Sequence, residues 1–117
     1  QGNYPAARKM YQEALAIMQH MGDEPGIALS YGNLGFIDEK EGDTGKAIEC
    51  YERALTKLEK IGDKQNAARF HNNLGLLYYD QRQTALARVH LLQAQAFFEM
   101  VGDEQGVWKV LQELLRL

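Results

Sequence analysis

Between residues 44 and 61 the apolar positions Ala47, Tyr51, Ala54 and Leu58 step by four, three and four, and Ile48 and Leu55 widen the stripe. Such spacing returns to one side of a helix with 3.6 residues per turn, and it does not alternate as a strand would. Ile27, Tyr31 and Leu34 repeat the pattern with steps of four and three. Along the whole chain it predicts an all-α protein of six helices, over 4–21, 24–41, 44–61, 64–82, 84–101 and 104–116.

The polar breaks between these segments are themselves periodic. Gly22-Asp23, Gly62-Asp63 and Gly102-Asp103 stand 40 residues apart. A glycine just past a helix can take the left-handed conformation that closes the last turn. An aspartate just before a helix accepts from its free amide donors and suits the positive end of its dipole. Each pair therefore reads as a stop followed by a start, and Pro25 fits a first turn, where a missing N–H costs nothing. A second break falls inside each unit: Gly2-Asn3, Gly42-Asp43-Thr44-Gly45, and the weaker Gln83-Thr84.

The repeat register extends beyond the joints. Asn33-Leu34-Gly35 returns as Asn73-Leu74-Gly75, Ala7 as Ala47 and Ala87, Ala14 as Ala54 and Ala94, and Tyr11 as Tyr51 and then Leu91. Each unit is a first helix (A) and a second (B). The chain divides into a B helix at 1–22, full repeats at 23–62 and 63–102, and an A helix at 103–117. Gly35 and Gly75 on the A helices, with Ala47, Ala54, Ala87 and Ala94 on the B helices, let the pair approach closely. Bulk at Gly35 or Ala47 would push the axes to or beyond the usual ~8–10 Å and cost roughly 1–3 kcal/mol.

The order Leu34-Gly35, Ala47, Tyr51, Ala54 resembles the tetratricopeptide repeat. Leu74-Gly75, Tyr78, Ala87 and Ala94 match it as well, with Asp38 standing where the third unit has Tyr78. The family period is about 34 residues. The longer period here is similar to the long-helix subclass of kinesin light chains, Pins-type polarity adaptors and bacterial peptide-pheromone receptors. The resemblance implies a right-handed superhelix of helix hairpins whose A helices line a concave groove that binds protein or peptide partners.

On that reading the groove residues are Leu29, Asn33, Phe36 and Lys40 on the first full repeat and Arg69, Asn73 and Leu76 on the second, with Asp80 at its end. Lys109, Glu113 and Arg116 follow on the last helix, and Gly32 and Asn72 flank the same face. An asparagine amide can pair with both the N–H and the C=O of an extended chain. In the long-helix family, asparagines just before Leu-Gly form a ladder along a ligand backbone, so the resemblance assigns that role to Asn33 and Asn73. The residues alone leave a second reading, in which these amides cap or bridge helices. Phe36 and Leu76, with Leu29 and Tyr79, read as an apolar floor or, for Phe36 and Leu76, equally as core. Arg69, Lys109 and Arg116 would favour an acidic ligand. The lysines and arginine of the chaperone-tail clamp are not in register, so an EEVD-type terminus is not expected.

Composition narrows the function further. The 117 residues carry 13 basic and 16 acidic side chains, a net charge of −3, with no basic stripe, so neither nucleic acid nor an anionic membrane is an expected partner. Cys50 is the single cysteine, which excludes an intrachain disulfide and points to a reducing, cytoplasmic setting. No apolar run is long enough to span a membrane. Phosphate-loop, dinucleotide, HExxH and CxxC motifs are absent, so no catalytic residue and no cofactor is expected. His20, His71 and His90 lie on three helices, none with a second His or Cys at i+3 or i+4, so no metal is expected either. Cys50 and His90 share a repeat position with Met10 that reads as tolerant B-helix surface, and Asp38, Glu39 and Glu41 read as a solvated helix end. No internal linker interrupts the chain, so it reads as one domain, and a start at Gln1 suggests a piece of something longer. Its ends should be sticky. Ala7, Tyr11 and Ala14 have no A helix before them, and the last helix places Val107, Trp108, Leu111, Leu114 and Leu115 on one side and Val110 and Leu117 on another. Association of copies through these ends is the alternative function.

Overall fold

The computed structural model describes residues 2–117 as six α-helices, with no strand among the described residues: α1 (Tyr4–Met21), α2 (Glu24–Lys40), α3 (Thr44–Ile61), α4 (Lys64–Asp80), α5 (Thr84–Val101) and α6 (Glu104–Leu115). The chain divides into two compact units, residues 1–61 and 62–117, and the division falls on a Gly-Asp joint.

The joints work as their chemistry predicts. Gly22, Gly62 and Gly102 have φ of 73°, 77° and 75°. Asp23, Asp63 and Asp103 each accept from the backbone N–H three residues on, those of Gly26, Asn66 and Gly106, at 3.1, 3.1 and 2.9 Å. At the second break Asn3 accepts from the Ala6 amide at 3.3 Å and Asp43 from that of Lys46 at 3.2 Å. The break before α5 differs. Gln83 offers no side-chain cap, and Arg82, in the place of Gly42, is forced to φ 63°. A side chain in that region costs roughly 1 kcal/mol or more. Arg82→Gly is therefore expected to raise stability by about 0.5–1 kcal/mol, read as an increase in thermal midpoint by circular dichroism.

In unit 1, α2 packs against α1 on one side and α3 on the other. Its core takes Ile27, Ala28, Leu34 and Ile37 from α2 and Ala47, Tyr51, Ala54, Leu55 and Leu58 from α3. No residue of α1 is fully buried. In unit 2, α4 packs on α5 and α5 on α6. Ala68, Leu91, Ala94, Phe98 and Val110 form its central cluster, and Phe97, Val107, Leu114 and Leu117 pack against it. Each large apolar side chain removed from water in this way contributes on the order of 1.5–3 kcal/mol. The cluster also corrects the sidedness of α6: Val107 and Leu114 face inward with Val110 and Leu117, leaving Trp108, Leu111 and Leu115 outside.

The glycines of the A helices make room chiefly for side chains, with the Ala87 carbonyl of α5 also close at Gly75. A Cβ on Gly35 would lie 3.0 Å from the Tyr51 ring, and one on Gly75 would lie 2.7 Å from Leu91 Cγ. Gly26 and Gly106, which the repeat pattern does not single out, do the same at the joints. There a Cβ would meet Met18 Sδ and the Phe98 ring, each at 2.5 Å.

Candidate functional site

Helix α2 exposes one continuous strip. Leu29 is 38% exposed and Phe36 48%, with exposed Asn33 between them and exposed Lys40 beyond. The Lys40 ammonium sits 5.1 Å from the Phe36 ring centroid, a cation–π contact that holds the ring at the surface. Phe36 is thus not a core residue. Two large apolar side chains left in water four residues before and three after a free-standing amide need an explanation other than packing.

Helix α4 presents the equivalent positions differently. Arg69 is exposed, while Asn73 and Leu76 are half-buried. Arg69 is also engaged: its Nη1 donates to Asn66 Oδ1 at 2.7 Å, and its guanidinium lies 5.5 Å from the Phe70 ring centroid. Asn72 departs from the sequence expectation of a flanking groove residue. It is only 4% exposed, and its Oδ1 has no hydrogen-bond partner. Its place on the helix, one residue or about 100° round from Asn73, turns it inward. On α6, Lys109 is exposed and Glu113 half-buried, and Arg116 lies just past the helix with Nη1 3.5 Å from Glu113 Oε1. Asp80, the last residue of α4, is exposed.

Polar links between neighbouring A and B helices stand where the sequence reads as surface. Asp38 is buried, paired with Arg8 Nη1 at 2.8 Å, and accepts from the Cys50 thiol at 3.4 Å. Burial first, and then the neighbouring Asp38 carboxylate, push the Cys50 thiol up to about 12, so it is a poor nucleophile near neutral pH. Arg8 also pairs with Glu41, and the two carboxylates, Glu41 foremost, hold its guanidinium above its ordinary value. In unit 2 the register places Tyr78 and His90 at these positions. Their rings stack at 5.5 Å, and His90 Nδ1 lies 3.0 Å from His71 Nδ1. The shared position of Cys50 and His90 is therefore a contact point between paired helices. The signal for it was the matched change at two places forty residues apart, Asp38 with Cys50 and Tyr78 with His90.

Two clefts complete the candidate surface. One of about 320 Å³ in unit 1 is lined by Arg8, Lys46 and Arg53. Each of these cations already has a partner: Asp38 and Glu41 for Arg8, Asp43 at 3.9 Å for Lys46, Glu49 at 3.5 Å for Arg53. It presents no uncommitted cation to an anionic ligand. The other, about 400 Å³ in unit 2, lies where α5 meets α6, between Phe98, Val107, Trp108 and Leu111 with Glu99, Asp103 and Glu104 at the rim. Gln65 donates to Asp103 at 2.9 Å and, with the Gly106 amide, holds that carboxyl below the usual carboxylate range. Among the described residues no three metal-ligating side chains converge, and no helix is long and apolar enough to cross a membrane.

These features can be set beside known proteins. No curated protein matches the chain. The crystal structure of BtubC (BKLC) from P. vanneervenii is similar in fold, with a TM-score of 0.72 and 23% identity, the match covering 98% of this chain and 56% of that one. The chain thus spans a little over half the length of that protein. The tetratricopeptide repeat model matches residues 1–60 and again 26–100. With the helix pairs, the Gly-Asp joints and the Leu-Gly positions all in one register, the chain belongs to the tetratricopeptide repeat family.

Proposed function

We propose that this chain is a non-catalytic interaction module whose A helices bind an extended protein segment, as part of a larger adaptor or regulator. Repeats of this family generally mediate protein–protein interaction. The observation that carries the finer reading is the exposed Leu29–Asn33–Phe36 strip on α2, an amide between two solvent-exposed apolar side chains. The amide suits a partner's backbone and the flanking side chains its apolar residues. Asn73 and Leu76 repeat the arrangement on α4, in a more buried form. Lys40, Arg69 and Lys109 favour acidic positions in the partner, and Glu113 with Arg116 forms a locally neutral end. The 40-residue period and the asparagines before Leu-Gly support placing the chain in the long-helix subclass. A cytoplasmic setting belongs to the same proposal and rests on the single unpaired thiol.

The test is a panel of acidic and apolar peptides titrated against the native chain and an Asn33→Ala/Asn73→Ala variant. The native chain is expected to bind an acidic-apolar peptide. The variant should lose about 1–3 kcal/mol per backbone pairing left unmatched, at least a tenfold weakening. Equal binding by the two proteins would refute the asparagine ladder.

A further inference from the structure

We propose that His71 of α4 and His90 of α5 form a pH-sensitive latch in unit 2, closed while the pair holds at most one added proton and forced open by the second. Their Nδ1 atoms lie 3.0 Å apart, within hydrogen-bond distance. The ring centroids stand 5.2 Å apart. That excess over the nitrogen separation is nearly all that two ring radii can supply, so the nitrogens meet end-on, each in the other's lone-pair direction. A contact of this shape carries one proton. With one Nδ1 protonated it is an N–H···N hydrogen bond, and with both protonated two N–H groups meet head to head.

Counting protons shows which one breaks it. A neutral histidine keeps its single N–H on either nitrogen, so two neutral rings can share the contact. The first added proton goes to the bare Nε2 of the donating ring, which leaves Nδ1–H···Nδ1 intact and gives it a charged donor. The second finds only the accepting Nδ1. It turns the contact into two facing donors on two like charges. Tyr78 from α4 stacks on His90 with centroids 5.5 Å apart, and Phe97 from α5 lies 5.7 Å from His71, itself 6% exposed. Neither a tyrosine nor a phenylalanine carries charge near neutral pH. The two histidines and Tyr78 make further contacts besides these. Such contacts shift the pH at which each proton is taken up and leave the one-proton limit in place.

The sign follows from linkage. The unfolded chain takes both protons near the ordinary histidine value of about 6.5. The folded pair refuses the second, so below that pH the unfolded state binds more protons and stability falls as pH falls. This contribution is fully present above the ordinary histidine range and is lost in acid. In unit 1 the same two places hold Tyr31 and Cys50. The Cys50 thiol, pushed up to about 12 by burial and then by Asp38, exchanges no proton in this range, so the sensitivity belongs to unit 2. The latch holds α4, which carries Asn73 and Leu76, yet it rests on the histidine contact and not on the groove reading, so either can fail alone.

The experiment uses the full chain. In histidine ring NMR, exposed His20 supplies the reference titration. One member of the pair is expected to charge about one pH unit or more below His20, together with loss of the His71–His90 contact. Urea denaturation followed by circular dichroism gives the second readout. Between about pH 7 and pH 5 the folding equilibrium constant of the native chain should fall about fivefold or more beyond the fall shown by His90→Gln, which keeps a polar partner for His71 without a second charge. A His20→Gln control should follow the native profile. Parallel profiles for the native and His90→Gln chains, or both members of the pair charging alongside His20 with the contact intact, would overturn the proposal; the NMR arm needs no variant and decides alone should His90→Gln not fold.

Discussion

Arg8→Ala is expected to destabilise unit 1 by about 3 kcal/mol, measured by urea denaturation followed by circular dichroism. Asp38 is the cause. Its carboxylate is buried in α2, and Arg8 from α1 is its ion-pair partner at 2.8 Å. A buried pair adds little over well-packed apolar residues, but removing one member strands the other charge away from water. Arg8 itself keeps about a quarter of its side chain in solvent (27%), which places the effect at the low end of the range for buried pairs. The origin of the loss can be read from a second variant. Arg8→Ala/Asp38→Asn carries no stranded charge and is expected to be more stable than Arg8→Ala alone. If the double variant is the less stable of the two, the Arg8 side chain acts through packing and the charge argument fails.

Gly75→Leu is expected to cost about 3 kcal/mol or more and to lower the thermal midpoint by roughly 10 °C. Even the first added carbon would lie 2.7 Å from Leu91 Cγ, 2.8 Å from its Cδ2 and 3.3 Å from the Ala87 carbonyl oxygen. Leu91 can rotate away, but the Ala87 backbone moves only with the whole of α5. Gly75→Ala meets the same atoms with less bulk and gains about 1 kcal/mol in helix propensity, so its net cost is smaller. Gly35→Ala should be milder still, since its nearest neighbour is the Tyr51 ring at 3.0 Å. Leu91→Ala in the Gly75→Leu chain should recover part of the loss by vacating the contested space. A Gly75→Leu protein as stable as the parent would show that α4 and α5 do not meet at this position as described.

The helix bounds were legible to within two residues because their signals are local. A left-handed glycine and an aspartate cap act within one turn of their own backbone, and neither depends on what the helix packs against. The small positions were legible for a similar reason, since four-and-three stepping marks a buried face wherever it occurs. What failed depended on how far one helix is rotated against the next. Asn72 and Asn73 differ by a single residue, yet one is buried and the other half-exposed. Cys50 and His90 read as surface because their repeat position also takes Met10, and Asp38 because it stands in a charged helix end; only the packed pair shows the contacts they make. Arg82 carried no signal at all, because the left-handed turn it adopts is normally marked by glycine. The exposure of Leu29 and Phe36 agrees with their place on the outward face, whereas Arg69, expected beside the asparagines, is held by Asn66.

The unlike links at one repeat position also bear on how the chain finds its partners while folding. Chains built from near-identical hairpins risk joining the wrong halves, because each A helix meets more than one B helix that nearly fits. Here the contacts act as addresses. Pairing α4 with α3 in place of α5 would exchange the ring contacts of His71 and Tyr78 with His90 for the same two side chains against Cys50. The error would forfeit those contacts as soon as the helices close, so divergence at a few facing positions works as proofreading of assembly within a single chain.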